Sequence, residues 1–151
     1  MRLALDTNIL VYAEGVNGAA MQQAAVDLIS RLPRDEVALP VQVLGELFQV
    51  LTRKAGRSPD AVRAIVLSWR DAFSVIDTSA RVLIEAADLA AIHRLFIWDA
   101  VILSAAAENT CRLLLSQDLQ DGFTWRGVTV LNPFAATPSP LLAQLLDRQT
   151  R

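Results

Sequence analysis

The sequence predicts an α/β fold, a mostly parallel central sheet of about five strands flanked by helices on both sides. Three observations carry that expectation. Short, largely apolar runs recur at Leu3-Ala4-Leu5, Val37-Ala38-Leu39, Phe73-Ser74-Val75-Ile76, Leu113-Leu114-Leu115-Ser116 and Val128-Thr129-Val130-Leu131. Segments between them place apolar residues at the three-four spacing of amphipathic helices. The connections between the first four runs are long enough for the right-handed crossovers that join parallel strands.

The first run stops at Asp6-Thr7-Asn8 and passes at once into the helix-compatible Ile9-Leu10-Val11-Tyr12-Ala13. A buried strand there delivers a carboxylate at its C-terminal end, which is where ligand sites lie in parallel sheets. From Ala19 to Arg31, Met21, Ala24, Ala25, Leu28 and Ile29 mark one helix face, and Pro33 ends it. Pro40 suits the first turn of a helix running to about Ala55 and closed by Gly56, with Glu46 in its first half. Ser58-Pro59 supplies an N-cap and a favourable first helical residue, opening a helix through Val62, Ile65, Val66 and Trp69. Thr78 or Ser79 caps the next, through Val82, Leu83, Ala86, Leu89 and Ala90 to His93. Asp99 opens another over residues 100–109, apolar on nearly every face, as a central buried helix would be. Residues 1–134 thus form one domain, and 135–151 a C-terminal extension. Within it, Ser139-Pro140 starts a short amphipathic helix whose Leu141, Leu142, Leu145 and Leu146 pack on the domain or against a partner.

A chain of 151 residues buries about 70% of its unfolded surface, and 53% hydrophobic residues suffice for such a core. The net charge of −2 argues against whole-surface attraction to nucleic acids or acidic membranes but leaves room for a local basic groove. Arg53, Lys54, Arg57 and Arg63 cluster with only Asp60 among them, a run that a solvated helix face also explains. Cys111 is the single cysteine, so it forms no internal disulfide, fits a reducing cytoplasm and packs as a small hydrophobe. Arg2 and Asp6 leave no apolar stretch for a secretory signal, and no run reaches the roughly 18 apolar residues of a membrane span.

Four acids stand at structural punctuation points: Asp6, Glu46, Asp99 and Asp118. An Asp at a helix start is commonly an N-cap, which accounts for Asp6 and Asp99 one at a time. Glu46 differs, because Leu44, Leu47, Phe48, Val50 and Leu51 surround it on a helix expected to be buried, where an unpaired carboxylate is costly. The segments bearing Asp6, Asp99 and Asp118 carry no adjacent cation. Brought together, these acids repel unless a hard divalent cation, Mg²⁺ or Mn²⁺, binds among them. With His93 the only histidine and Cys111 the only cysteine, a zinc site of the usual His/Cys kind is excluded. An all-oxygen site suits chemistry on phosphates.

Leu5-Asp6-Thr7-Asn8, Glu46, Trp98-Asp99-Ala100, the run from Leu114 through Ser116-Gln117-Asp118 to Asp121-Gly122, and the ending Gly127-Val128-Thr129-Val130-Leu131-Asn132-Pro133-Phe134 together resemble the PIN-domain ribonucleases. The match is closer to the VapC toxins of toxin-antitoxin pairs and runs from residue 3 to 134. The resemblance implies a three-layer PIN-like fold over residues 1–134 and a Mg²⁺- or Mn²⁺-dependent endoribonuclease, with one or two ions. It also implies inhibition by a cognate VapB-like antitoxin, and a homodimer is expected. Carried over by position, Asp6, Glu46, Asp99 and Asp118 are the catalytic, metal-binding acids. Thr7 and Ser116 occupy hydroxyl positions beside the first and last of them, although capping explains them equally. Asp121 is a further accessory candidate in competition with a turn reading at Gly122, and Asn8 another that would contact the first acid, although an early-helix polar residue needs no such role. Arg53, Lys54 and Arg57 are candidates to hold an RNA backbone. Trp98 is either a base-stacking residue or, as its place before a buried helix suggests, part of the core. The rivals are a stand-alone RNA-processing or DNA-acting nuclease of the same fold, and a catalytically silent binding module. An aspartyl-phosphate phosphatase is disfavoured, since no second Asp stands two positions after Asp6.

Overall fold

The computed structural model describes residues 1–148, so 149–151 of the predicted extension lie outside the described residues. β1 (Leu3–Leu5), β2 (Val37–Pro40), β3 (Ser74–Ile76), β4 (Leu113–Leu115), β5 (Thr124–Trp125) and β6 (Val128–Leu131) form one sheet in the order β3-β2-β1-β4-β6-β5. All pairings are parallel except that of β5 with β6. No residue of β1 or β4 is more than 1% exposed, so both faces of the sheet centre are covered and these strands read as unbroken apolar runs.

The sixth strand exceeds the five expected from the sequence. It pairs Thr124 with Thr129 and Trp125 with Val128 across a two-residue turn. Arg126 and Gly127 both take positive φ there, 45° and 82°, as this kind of tight hairpin requires. A two-residue strand is too short for alternation to register, which is why the sequence reading missed it.

Seven helices complete the described fold: α1 (Thr7–Ala13), α2 (Ala19–Arg31), α3 (Val41–Arg53), α4 (Pro59–Ala72), α5 (Ala80–His93), α6 (Ile97–Glu108) and α7 (Pro140–Asp147). Capping follows the sequence closely. Ser58 Oγ accepts from Ala61 N at 3.2 Å and Ser79 Oγ from Val82 N at 3.1 Å. Thr78, the alternative cap, instead keeps its hydroxyl buried without a partner among the described residues. Pro40 ends β2 opposite Ile76 rather than entering the first turn of α3.

Two corrections concern α6. It begins at Ile97, because Ala100 N already donates to Phe96 O at 2.9 Å, so Asp99 is its third residue and not its cap. Trp98 is 50% exposed and is not core, since it precedes the buried run that starts at Ala100. From there to Ala106 the helix is buried, against β2, β4 and β6.

Helix α3 is likewise more amphipathic than expected. Val43, Leu44, Leu47 and Leu51 are buried, but Phe48 is exposed and Glu46 lies half-buried at the edge of the stripe. In the C-terminal extension, Leu142, Leu145 and Leu146 join the main core while Leu141 stays exposed. Ser139 occupies the cap position of α7 without a side-chain cap bond.

Candidate active site

The strand order runs from β1 through β2 to β3 on one side, and from β4 to β6 on the other. The chain therefore changes direction between β1 and β4, and ligand crevices of open α/β sheets form at the carboxyl ends of such a pair. Asp6 directly follows β1, and Ser116 directly follows β4. Asp6 N donates to Leu115 O at 2.9 Å, which extends the β1–β4 ladder to the acid itself.

Asp6 is only 4% exposed. Its carboxylate accepts from Thr7 N at 2.7 Å, from Ser116 Oγ at 2.7 Å and from Asn8 Nδ2 at 3.4 Å. Burial nevertheless outweighs these bonds and, with the charges of Asp99 and Glu46, lifts its pKa to about 6. Asp99 is also raised, first by burial and then by the charges of Glu46 and Asp118. The four acids from four separate segments therefore share one electrostatic neighbourhood. Thr7 Oγ1 donates to Glu46, which also accepts from Gln42 Nε2 at 3.4 Å, so the partner that Glu46 was expected to need is a hydroxyl and an amide.

Among the described residues, no three His, Cys, Asp or Glu side chains close on one point as a ready-made metal site. The donor set still fits a hard divalent cation in kind. It is all carboxylate, the charges of its neighbours help raise Asp6 and Asp99, and no Lys or Arg forms an ion pair with any of the four among the described residues.

Ser116 and Asn8 are the residues that organise this corner. Fully buried Ser116 Oγ donates to Asp6 and accepts from Asp118 N at 3.2 Å and Leu119 N at 3.3 Å. Asn8 Nδ2 reaches Ser116 Oγ at 3.4 Å, and Asn8 Oδ1 accepts from Gln117 N at 3.2 Å. One hydroxyl thus ties the first acid to the backbone carrying the last. Ser116→Ala should cost about 1–3 kcal/mol through the amides it strands, and should push the Asp6 pKa still higher by removing a bond to the carboxylate. Urea unfolding and carboxyl NMR titration check this, and an Asp6 titration unmoved by the substitution would contradict it.

A cleft of about 660 Å³ opens beside these groups. Thr7, Asn8, Glu46 and exposed Asp118 line it together with Arg53 and Lys54; Asp6 lies buried, and Asp99 does not line it. Arg57, grouped with Arg53 and Lys54 on sequence, turns elsewhere, pairing with the Glu14 carboxylate at 3.5 Å. Asp121 is exposed, and its carboxylate accepts from Asn132 N at 3.0 Å, holding the loop before β5 against the end of β6. Tyr12 was not singled out from the sequence. It lines the cleft, donates to Gln117 Oε1, and has its pKa raised by burial and by the charge of Asp118. A hydroxyl-bearing aromatic in the otherwise apolar run Ile9-Leu10-Val11-Tyr12-Ala13 was the available signal.

A family model of the PIN domain matches residues 3–121 of the chain. The chain belongs to the PIN domain family. No curated protein matches it in sequence. Solved structures similar to this PIN domain include the sarcin-ricin loop cleaving toxin VapC20 of Mycobacterium tuberculosis, with a TM-score of 0.65 and 23% identity over 77% of this chain and 89% of that one. A toxin-antitoxin complex from Klebsiella pneumoniae aligns with a TM-score of 0.65 and 22% identity over 89% and 98% of the two chains. VapBC2 from Rickettsia felis, bound to a fragment of promoter DNA, aligns at 0.61 and 19% identity over 86% and 97%. The PIN-like α/β fold expected from the sequence is thus the fold of the chain, and the VapC toxins are among its structural neighbours.

Proposed function

We propose that this PIN domain is a divalent-metal-dependent endoribonuclease and the toxin half of a toxin-antitoxin pair. The observation supporting the reading is that buried Asp6, at the carboxyl end of β1, feels the charges of Asp99 and Glu46, and Asp99 those of Glu46 and Asp118, so that four acids from separate segments influence one another. Those four side chains would hold one or two Mg²⁺ or Mn²⁺ ions. When bound, the cation supplies an acidified water and neutralises charge on the phosphoryl oxygens. Ser116, Asn8 and the backbone of Thr7 fix the direction of the Asp6 carboxylate. The Thr7 hydroxyl aims Glu46. Arg53 and Lys54, lining the same cleft, hold the RNA backbone beside the bond to be cut.

Similarity to toxin-antitoxin complexes supports a VapB-like antitoxin as the partner. We further assign the chain to the cytoplasm, in keeping with its free, buried Cys111, and expect a homodimer. Among the described residues no helix is long and apolar enough to cross a membrane. The deciding experiment incubates the purified protein with labelled single-stranded RNA and DNA of the same sequence, with Mg²⁺, with Mn²⁺ and with EDTA. RNA should be cut internally in either metal and left intact in EDTA. Full-rate cleavage in EDTA, or cutting of DNA alone, would overturn the proposal.

A further inference from the structure

The two walls of the cleft run in step away from the acids. On α3, Glu46 is followed one turn later by Gln49 and Val50, and after another turn by Arg53 and Lys54, all lining the cleft. Each turn advances about 5.4 Å, so acid, amide and cation form a ladder along one helix face. On the facing wall, Thr7 is followed on α1 by Val11 and Tyr12, and the loop beyond brings Val16 and Asn17 to the same cleft.

Asn17 and Gln49 differ from the amides around them. Asn8, Gln42 and Gln117 are committed to Ser116 and Asp6, to Glu46 and to Tyr12. The Asn17 and Gln49 side chains form no hydrogen bond among the described residues, and Arg53 and Lys54 form no ion pair among them. Each amide offers a donor and an acceptor side by side, the pattern that pairs with a nucleobase edge. The apolar wall of Val11, Val16 and Val50 suits the face of a base. The cleft volume of about 660 Å³ also lies within the range of small-molecule sites, roughly 300–1,000 Å³.

The loop carrying Asn17 is anchored. Glu14 accepts from Trp69 Nε1 at 3.0 Å and pairs with Arg57 at 3.5 Å, which ties the end of α1 to α4. Gly15 and Gly18 take φ of 87° and 89°, backbone that L side chains rarely adopt, so the loop can turn Asn17 toward the cleft.

Resting on the ribonuclease reading above, we infer that the part of the cleft beyond the acids is a subsite for the one nucleotide adjacent to the scissile phosphate, whose base Asn17 and Gln49 read and whose far phosphate Arg53 and Lys54 hold. The test maps cleavage ends in a pool of random-sequence RNA for the unchanged protein, the Asn17→Ala, Gln49→Ala double variant and an Arg63→Ala control. The unchanged protein should favour particular bases at one position beside the cut, and the double variant should flatten that preference by roughly five-fold or more, the low end of what a bidentate amide-base pair discriminates. Arg63→Ala should leave it intact. A preference unchanged in the double variant would overturn the subsite.

A second readout needs no catalysis: displacement of fluorescein-labelled random RNA by nucleoside 5′-monophosphates in EDTA, followed by anisotropy. Mononucleotides should compete, and the double variant should bind them more weakly. If the unchanged protein cuts no RNA yet shows this competition, the subsite stands and the ribonuclease reading falls. If it cuts RNA but no mononucleotide competes, or only an arginine-bearing peptide does, the subsite falls alone.

Discussion

Asp6→Asn and Asp99→Asn should each lower divalent-dependent RNA cleavage by at least about a hundred-fold, the scale seen when one electrostatic contact to a transition state is removed. The same substitutions should leave the metal-free fold intact, and Asp6→Asn should strengthen it. Burial and the neighbouring acids raise Asp6 from 3.8 to about 6, so ionising it costs the folded chain on the order of 3 kcal/mol. The sign follows from the raised pKa. The Asp6 contribution to stability is fully present below about pH 4 and is lost as pH rises through about 6. Metal-free protein should therefore melt at a lower temperature at pH 8 than at pH 5 to the extent that Asp6 controls it. Asparagine keeps one oxygen to accept from Thr7 N, gives up the oxygen that accepts from Ser116 Oγ for an amide NH2, and carries no charge, so the Asp6→Asn variant should lose that pH step. Calorimetry across this range in EDTA, set beside cleavage assays in Mg²⁺, separates the two effects. A variant with full activity, or one destabilised at pH 8, would contradict the account.

A chain ending at Ala136 should lose several kcal/mol of stability, because Leu142, Leu145 and Leu146 are at most 9% exposed in the main core and each buried leucine contributes about 1.5–3 kcal/mol. Against the 5–15 kcal/mol typical of a domain, about 5 kcal/mol is enough to leave much of the chain unfolded at growth temperature. Leu145→Ala is the milder check, with an expected cost of about 2–5 kcal/mol. Light scattering on that variant should give the mass of the unchanged protein, because Leu145 faces inward. A drop in mass without a drop in melting temperature would make the stripe an interface between chains instead.

The parts of this protein that sequence revealed are those where local chemistry and tertiary environment agree. Caps such as Ser58 and Ser79 declare themselves because a hydroxyl precedes a periodic apolar run, and α6 because its buried stretch is apolar but for Ser104. The strand-terminal placement of Asp6 was legible for the same reason. The burial of Trp98 and of Glu46 was misjudged because apolar neighbours in sequence do not say which helix face turns inward; that is decided by which elements cover each face. Tyr12, Asn17 and Gln49 were overlooked since a polar residue gains meaning only from what the opposite wall presents. Arg57 looked identical to Arg53 and Lys54 until its bond to Glu14 was visible.

Ser116 Oγ meets Asp6 across 110 residues of chain, and the strand it follows, β4, is also the neighbour that completes the centre of the sheet beside β1. Long-range parallel pairing is slow because the loop must close before any contact rewards it. A ribosome adds roughly 5–20 residues per second, so many seconds separate the emergence of Asp6 from that of its hydroxyl partner. Glu46 and Asp99 emerge within that interval, before Ser116 can fix Asp6. A nascent chain therefore keeps Asp6 and Asp118 apart until β4 and Ser116 have been made and paired.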